Sequence, residues 1–279
     1  MDRDTGLFGP DSVTWRVHGD PVLWLGGLRA LLLQALHPRA MAGLAANADI
    51  RADPWGRLLR TAGYVGTVTF GTTDEAAAAG AAVRRVHQRL DLEDAHLLRW
   101  VHCCLVDSFL TTASRAGIPM TGDEADRYVD EQARLAPLVG VGAETVPRDV
   151  RALAAYFTDI RPELHLTPAA LNAARLVVVP PMPTWVQLAT PARLGWTGVA
   201  ALSLALLPAW ARRLYRLPGL PVTDLAATAG LRVLSIGLRA LPDSYREGPH
   251  ARAARERLVA TEDAIERGSR LSGQERHRA

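Results

Sequence analysis

Signals that open helices recur down this chain, and signals that open strands are almost missing. Asp20-Pro21 places an N-capping side chain before a proline, and an apolar run follows to Leu36. Proline suits the first helical turn because its φ is already set and its missing N–H has no partner to lose there. His37-Pro38 then breaks the run, which predicts a kink or a new helix. Asp53-Pro54 repeats the start signal before Trp55 to Val65, and Thr73-Asp74-Glu75 starts an alanine-rich helix to about Leu90. A further helix is expected from about Glu93 through Trp100 towards Ala113. Thr121 and Glu124 have capping-box spacing and predict a helix to about Leu138. Later starts fall at Pro147, Thr167-Pro168, Thr223-Asp224 and near Pro249. The one β-prone run, Val177 to Val179, is closed at once by Pro180 and Pro181 and reads as an extended connection. With no internal repeat and no linker, the expectation is an all-α fold: a single large helical domain over residues 1–279, frayed from about Gly268 onward.

Composition narrows what such a domain can do. Nearly half of the residues are hydrophobic and charges of both signs are interspersed, the profile of a globular chain. A formal net charge of +3, with no basic run interleaved with aromatics, gives no footprint for nucleic acid. All basic residues are arginine, which excludes lysine Schiff bases, Ser-Lys nucleophiles and a P-loop lysine. Cys103 and Cys104 are adjacent and read as reduced core residues. The first residues, MDRDTGLFGPDSVTWRVHGDP, carry charges and prolines where a signal peptide needs an apolar run, so a cytoplasmic location is expected. Trp196 to Trp210 is almost free of polar side chains. Its 15 residues fall short of the roughly 20 that span a bilayer, and Pro208 interrupts it. A buried core helix is the favoured reading; peripheral membrane contact or an apolar substrate entrance is the other.

Four groups of residues have chemistry to offer. Arg57, Arg60 and Thr61 lie three and four apart, on one helical face. Two guanidiniums and a hydroxyl aimed one way can clamp a carboxylate or phosphate; a solvated face carrying long arginines is the plainer reading. His87 shares an apolar stripe with Val83 and Leu90, the setting in which a haem protein presents an axial imidazole, and also the setting of an ordinary core histidine. His102 and Asp107 are five apart on the expected helix through Trp100, either supporting a site or simply structural. His37 beside Pro38 reads as a brace at a helix junction. H-E-x-x-H, paired C-x-x-C, G-x-G-x-x-G, G-x-S-x-G and C-x-x-C-H are all absent from the sequence, which leaves zinc protease, Rossmann, serine hydrolase and c-type haem readings without support.

Taken in order, LLLQALHPRAMAGLAANADIRADPWGRLLRTAGYVGTVTFGT, VRRVHQRL, LLRWVHCCLVDSFL and EADRYVDEQARLAPLVG resemble one bacterial family. It contains the MpaB-type oxygenases and the latex-clearing proteins, or rubber oxygenases. The resemblance continues through VVVPPMPTW and LLPAWARRLYRLPGLP and so covers nearly the whole chain.

The resemblance implies a helical protein with one non-covalent haem b in a pocket between helices, using O2 on carbon–carbon double bonds. His87 matches the family's proximal histidine and is the implied metal ligand. Arg57 and Thr61 match the arginine and threonine of the haem-pocket helix and are the implied catalytic pair. Arg60 and His102 complete the implied cofactor-binding set. Three departures qualify the substrate. Arg60 stands where rubber oxygenases have a lysine able to cap the iron, and a protonated guanidinium offers no lone pair. Only Asp91 to Arg99 joins the histidine helix to the W-V-H segment, where many relatives have a longer stretch. An export signal, needed to attack solid rubber, is not found. The expected substrate is therefore a small or lipid-like apolar molecule rather than polyisoprene. A haem protein that senses or carries without turnover, and a haem-free helical scaffold, are the competing readings.

Overall fold

The computed structural model describes residues 4–46, 54–179 and 192–261, side chains at 44–46, 54–55, 57 and 192–194 excepted. Every regular element among the described residues is helical, and the fold is all-α as the start signals predict. In chain order the helices are α1 (Val13–His18), α2 (Leu23–Gln34), α3 (Pro38–Ala46), α4 (Pro54–Phe70), α5 (Thr73–Arg89), α6 (Ala95–Arg115) and α7 (Gly122–Gln132). There follow α8 (Val150–Ile160), α9 (Pro168–Val178), α10 (Ala192–Ala205), α11 (Ala209–Leu214), α12 (Pro221–Arg239) and α13 (Asp243–Arg246), then α14 over 249–261.

The core is built on α2, whose twelve residues include Leu23, Leu25, Leu28, Leu32 and Leu33, all buried. It lies along α6, and α10 packs on it from another side. Gly26 marks the closest approach of α2 to α6: a Cβ there would sit 2.8 Å from Phe109 Cδ1 and 3.3 Å from the Ser108 carbonyl oxygen. The same interface swallows a charge. Arg29, 2% exposed, donates to Asp107 Oδ2 at 2.8 Å, Ser108 Oγ at 2.7 Å and the Leu206 carbonyl at 2.9 Å. One guanidinium thereby ties α2, α6 and the end of α10, with its buried donors satisfied. Around these elements runs one continuous apolar cluster, from Val13 to Leu231.

Several boundaries differ from the sequence expectation for physical reasons. Val177 and Val178 close α9 rather than forming an extended link. Val177 packs on the core, and packing outweighs β-propensity over so short a run. Only Val179, the residue before a proline, leaves the helical region, at φ −130° and ψ 74°; the remainder of that link lies outside the described residues. The helix from Thr121 stops at Gln132, and the chain reaches Leu138 through short turns at Ala133–Leu135 and Pro137–Val139. The apolar segment from Trp196 to Trp210 is split at Pro208 between α10 and α11, with Ala200, Leu206 and Leu207 buried, so it serves the core. No helix among the described residues is long and apolar enough to cross a membrane.

Candidate functional site

Helices α4 and α5 are each 17 residues long and are joined only by Gly71 and Thr72, so they fold back on each other as a hairpin. The turn is fixed chemically. Thr72 Oγ1 accepts from the Glu75 amide and Glu75 Oε2 accepts from the Thr72 amide, a reciprocal capping box. With antiparallel helices of equal length, the first turns of α4 and the last turns of α5 come to the same end. Arg57, Arg60 and Thr61 are therefore on the helix that runs beside His87.

His87 sits in the last turn of α5, half-buried. The chain leaves the helix abruptly: the His87 carbonyl accepts from the Leu92 amide at 2.9 Å, and Asp91 takes a left-handed φ of 54°. The His87 Nδ1 is buried and has no hydrogen-bond partner among the described residues. Burial lowers the imidazole pKa, with Glu93 pulling the other way, so the ring is held as the neutral base. A buried polar atom without a partner costs about 1–3 kcal/mol, which calls for a ligand, an ion or a water to complete it. Nδ1 can serve as a lone-pair donor when the proton sits on Nε2.

A second unpartnered atom on the same hairpin was invisible to motif spacing. Tyr64, one turn beyond Thr61, has a buried hydroxyl with no hydrogen-bond partner, and burial pushes its pKa up to about 12 against the pull of Arg84. Arg84 in turn donates to the Leu138 carbonyl at 2.8 Å, fastening α5 to the turn at Pro137–Val139. Gly80 permits that contact, because a Cβ there would lie 2.9 Å from the Leu138 carbonyl oxygen. Arg60 and Thr61 are exposed on α4. Arg57 belongs to α4 by its backbone, and its side chain is outside the described residues.

His102 is carried by α6, where burial drives its pKa down to about 4. No hydrogen bond or ring contact joins it to His87 among the described residues. Asp107, its companion in the sequence, spends its carboxylate on Arg29. His37 occupies the junction between α2 and α3, 1% exposed. It faces two residues that no sequence spacing suggested, His96 and Glu163. A surface cleft of about 450 Å³ lies beside Phe70, at the far end of α4, between Trp15, Arg239, Glu247 and Arg255. It holds none of these histidines.

The structure gives an all-α fold, and comparison gives the family. The model of the family described as ER-bound oxygenase mpaB/B'/Rubber oxygenase, catalytic domain, matches residues 15–240. The chain belongs to that family of oxygenases. No curated protein and no solved structure matches it.

Proposed function

We propose that this protein is a haem b-dependent oxygenase in which His87 would hold the haem iron through its imidazole and the α4–α5 hairpin would carry the residues that bind the group. The observation that carries this reading is His87 Nδ1, a buried basic nitrogen without a hydrogen-bond partner among the described residues. The motif resemblance matches His87 with the family's proximal histidine, and the family model covers residues 15–240. The residues present fit such a group: an imidazole kept neutral by burial, and arginines at 57 and 60 on the other helix of the hairpin.

Haem, when bound, supplies the iron chemistry that activates O2. The chain's own residues do the rest. His87 holds the group from one side. Arg57 and Arg60 would provide permanent positive charge for its carboxylates, and Thr61 would offer a short hydroxyl as a hydrogen-bond donor at the same end of the hairpin. Tyr64, kept protonated by burial, is a further O–H donor on the same helix. Arg60, a protonated guanidinium, has no lone pair to offer a metal and would act only as a hydrogen-bond donor and positive charge. The substrate class that fits a pocket of this kind is a small or lipid-like apolar molecule.

The test is the absorption spectrum of protein produced with ample haem, beside His87→Ala. An intense Soret band that collapses or shifts in the variant supports the assignment. A band indifferent to the variant moves the ligand to another histidine. No band in either protein removes the oxygenase reading. Arg57→Ala and Thr61→Ala should keep haem but change O2 reactivity; unchanged reactivity in both removes their proposed roles.

A further inference from the structure

The junction between α2 and α3 carries a second set of side chains with metal-binding chemistry, away from the hairpin histidine. His37, His96 and Glu163 come from three separate segments: the link into α3, the first turn of α6 and the turn at Arg161–Glu163. Glu163 Oε2 lies 2.9 Å from His96 Nε2 and 3.4 Å from His37 Nε2. The ligand atoms of all three residues fall within 4.8 Å of one another. For a cation held at about 2.0–2.1 Å by nitrogen and oxygen, tetrahedral donors lie roughly 3.3 Å apart. The two measured edges bracket that separation.

A hydrogen-bonded triad would not account for His37. Its side chain is 1% exposed, yet neither Nδ1 nor Nε2 has an aligned hydrogen-bond partner. Glu163 Oε2 is already engaged by His96. The His37 ring is wedged edge-on against His96, with centroids 5.7 Å apart, and tilted against Trp100 at 6.1 Å. A buried imidazole with both nitrogens unmatched is costly unless one of them binds something. Burial keeps it neutral, and the His96 hydrogen bond holds the Glu163 carboxyl below its usual range; a cation would displace that hydrogen bond, with the His96 proton moving to Nδ1 to free the Nε2 lone pair. Arg39 is the nearby competing charge, and it is paired with Asp94.

The donor set is also held in place before any ion arrives. The Leu36 carbonyl accepts from the His165 amide at 3.0 Å, fastening the Glu163 turn to the end of α2. Asp94 caps α6 by accepting from the His96 and Leu97 amides. Its ion pair with Arg39 locks α3 to the same cap. Trp100 is fully buried behind His37 and donates to the Gln34 carbonyl at 3.2 Å. Such support around the ligands is what turns three nearby side chains into a site.

We propose that His37, His96 and Glu163 bind one divalent cation, zinc by donor set, with a fourth position open to water on the exposed side of His96 and Glu163. Two imidazoles and one carboxylate suit zinc, and the ion would stitch α2, α6 and the turn after α8 together.

The experiment is zinc titration of untagged, chelator-stripped protein against a chromophoric chelator, with cobalt as a spectroscopic substitute. One equivalent should bind, raise the thermal midpoint, and with cobalt give the visible bands of a four-coordinate centre. Glu163→Gln and His96→Asn alter exposed residues and should fold normally while weakening zinc by about 100-fold or more, since even loss of a supporting contact costs 10–100-fold. His37→Leu should do the same. His87→Ala should leave zinc binding as it is, which separates this site from the haem reading. Failure of the wild-type chain to bind one equivalent, or binding that survives all three ligand substitutions, overturns the proposal.

Discussion

Two partly buried histidines in this molecule are solved in opposite ways. His18, at the end of α1, has Nδ1 2.8 Å from Thr69 Oγ1 and Nε2 3.0 Å from the Tyr128 hydroxyl. Its ring meets Phe109 and Tyr128 edge to face, at 5.0 and 5.9 Å between centroids. Every polar atom is matched within the chain, and the residue is a piece of core. His87 has similar chemistry and less burial, but its Nδ1 is left without a partner. Burial therefore does not distinguish a functional imidazole from a structural one; completion of its hydrogen bonds does. The same criterion picks out His37.

The contrast predicts its own largest effect in stability. His18→Ala removes a packed ring and strands two buried hydroxyls, Thr69 Oγ1 and the Tyr128 O–H. It should lower the unfolding free energy by about 3 kcal/mol, the sum of a cavity and unpaired polar groups. His87→Ala in haem-free protein should change it by less than about 1 kcal/mol, because no contact of the imidazole is lost that the chain itself completes. Urea unfolding of the two variants measures the difference. Equal losses would mean that His87 is as structural as His18.

Acid sharpens the comparison next. Burial takes the folded-state pKa of His18 down to about 3 and that of His102 to about 4. Both lie below the unfolded value, so between pH 6.5 and those values the unfolded chain binds protons that the folded chain refuses. Stability is fully present above pH 6.5 and falls as the pH drops towards 4. At pH 5, His102 alone should cost roughly 2 kcal/mol relative to pH 7. His102→Gln should remove that share of the acid slope, read from urea midpoints across pH. A slope unchanged by the substitution would mean that His102 titrates normally in the fold.

What the sequence revealed of this architecture follows the range of the forces involved. The start signals at Pro54, at Thr121 with Glu124 and at Thr167-Pro168 act within one turn, and each opens the helix it predicts. The helix expected from Thr73 also opens there, and the box between Thr72 and Glu75 caps it. The valines at 177 and 178 misled because their helical state is decided by packing on distant residues. On the functional side, His87 stood out through a motif contiguous in the chain. His96 and Glu163 could not, since they meet His37 only after three segments separated by more than fifty residues have been brought together. Asp107 likewise could not be assigned without Arg29, which reaches it from another helix.

The smallest expected effect concerns Tyr64 and tests whether its unmatched hydroxyl belongs with His18 or with His87. Its oxygen is buried without a partner, so Tyr64→Phe removes a desolvated polar group and keeps the ring. In haem-free protein the stability should move by no more than about 0.5 kcal/mol, and towards greater stability. A loss of 1–2 kcal/mol would show instead that the hydroxyl is completed inside the fold, as the ring of His18 is. If the proposed haem site is correct, the same substitution in protein produced with ample haem should change O2 reactivity while leaving haem content intact, because a protonated phenol is a donor that phenylalanine lacks. A variant silent in both measurements would place Tyr64 outside the pocket and confine the site's donors to the turn that holds Arg57, Arg60 and Thr61.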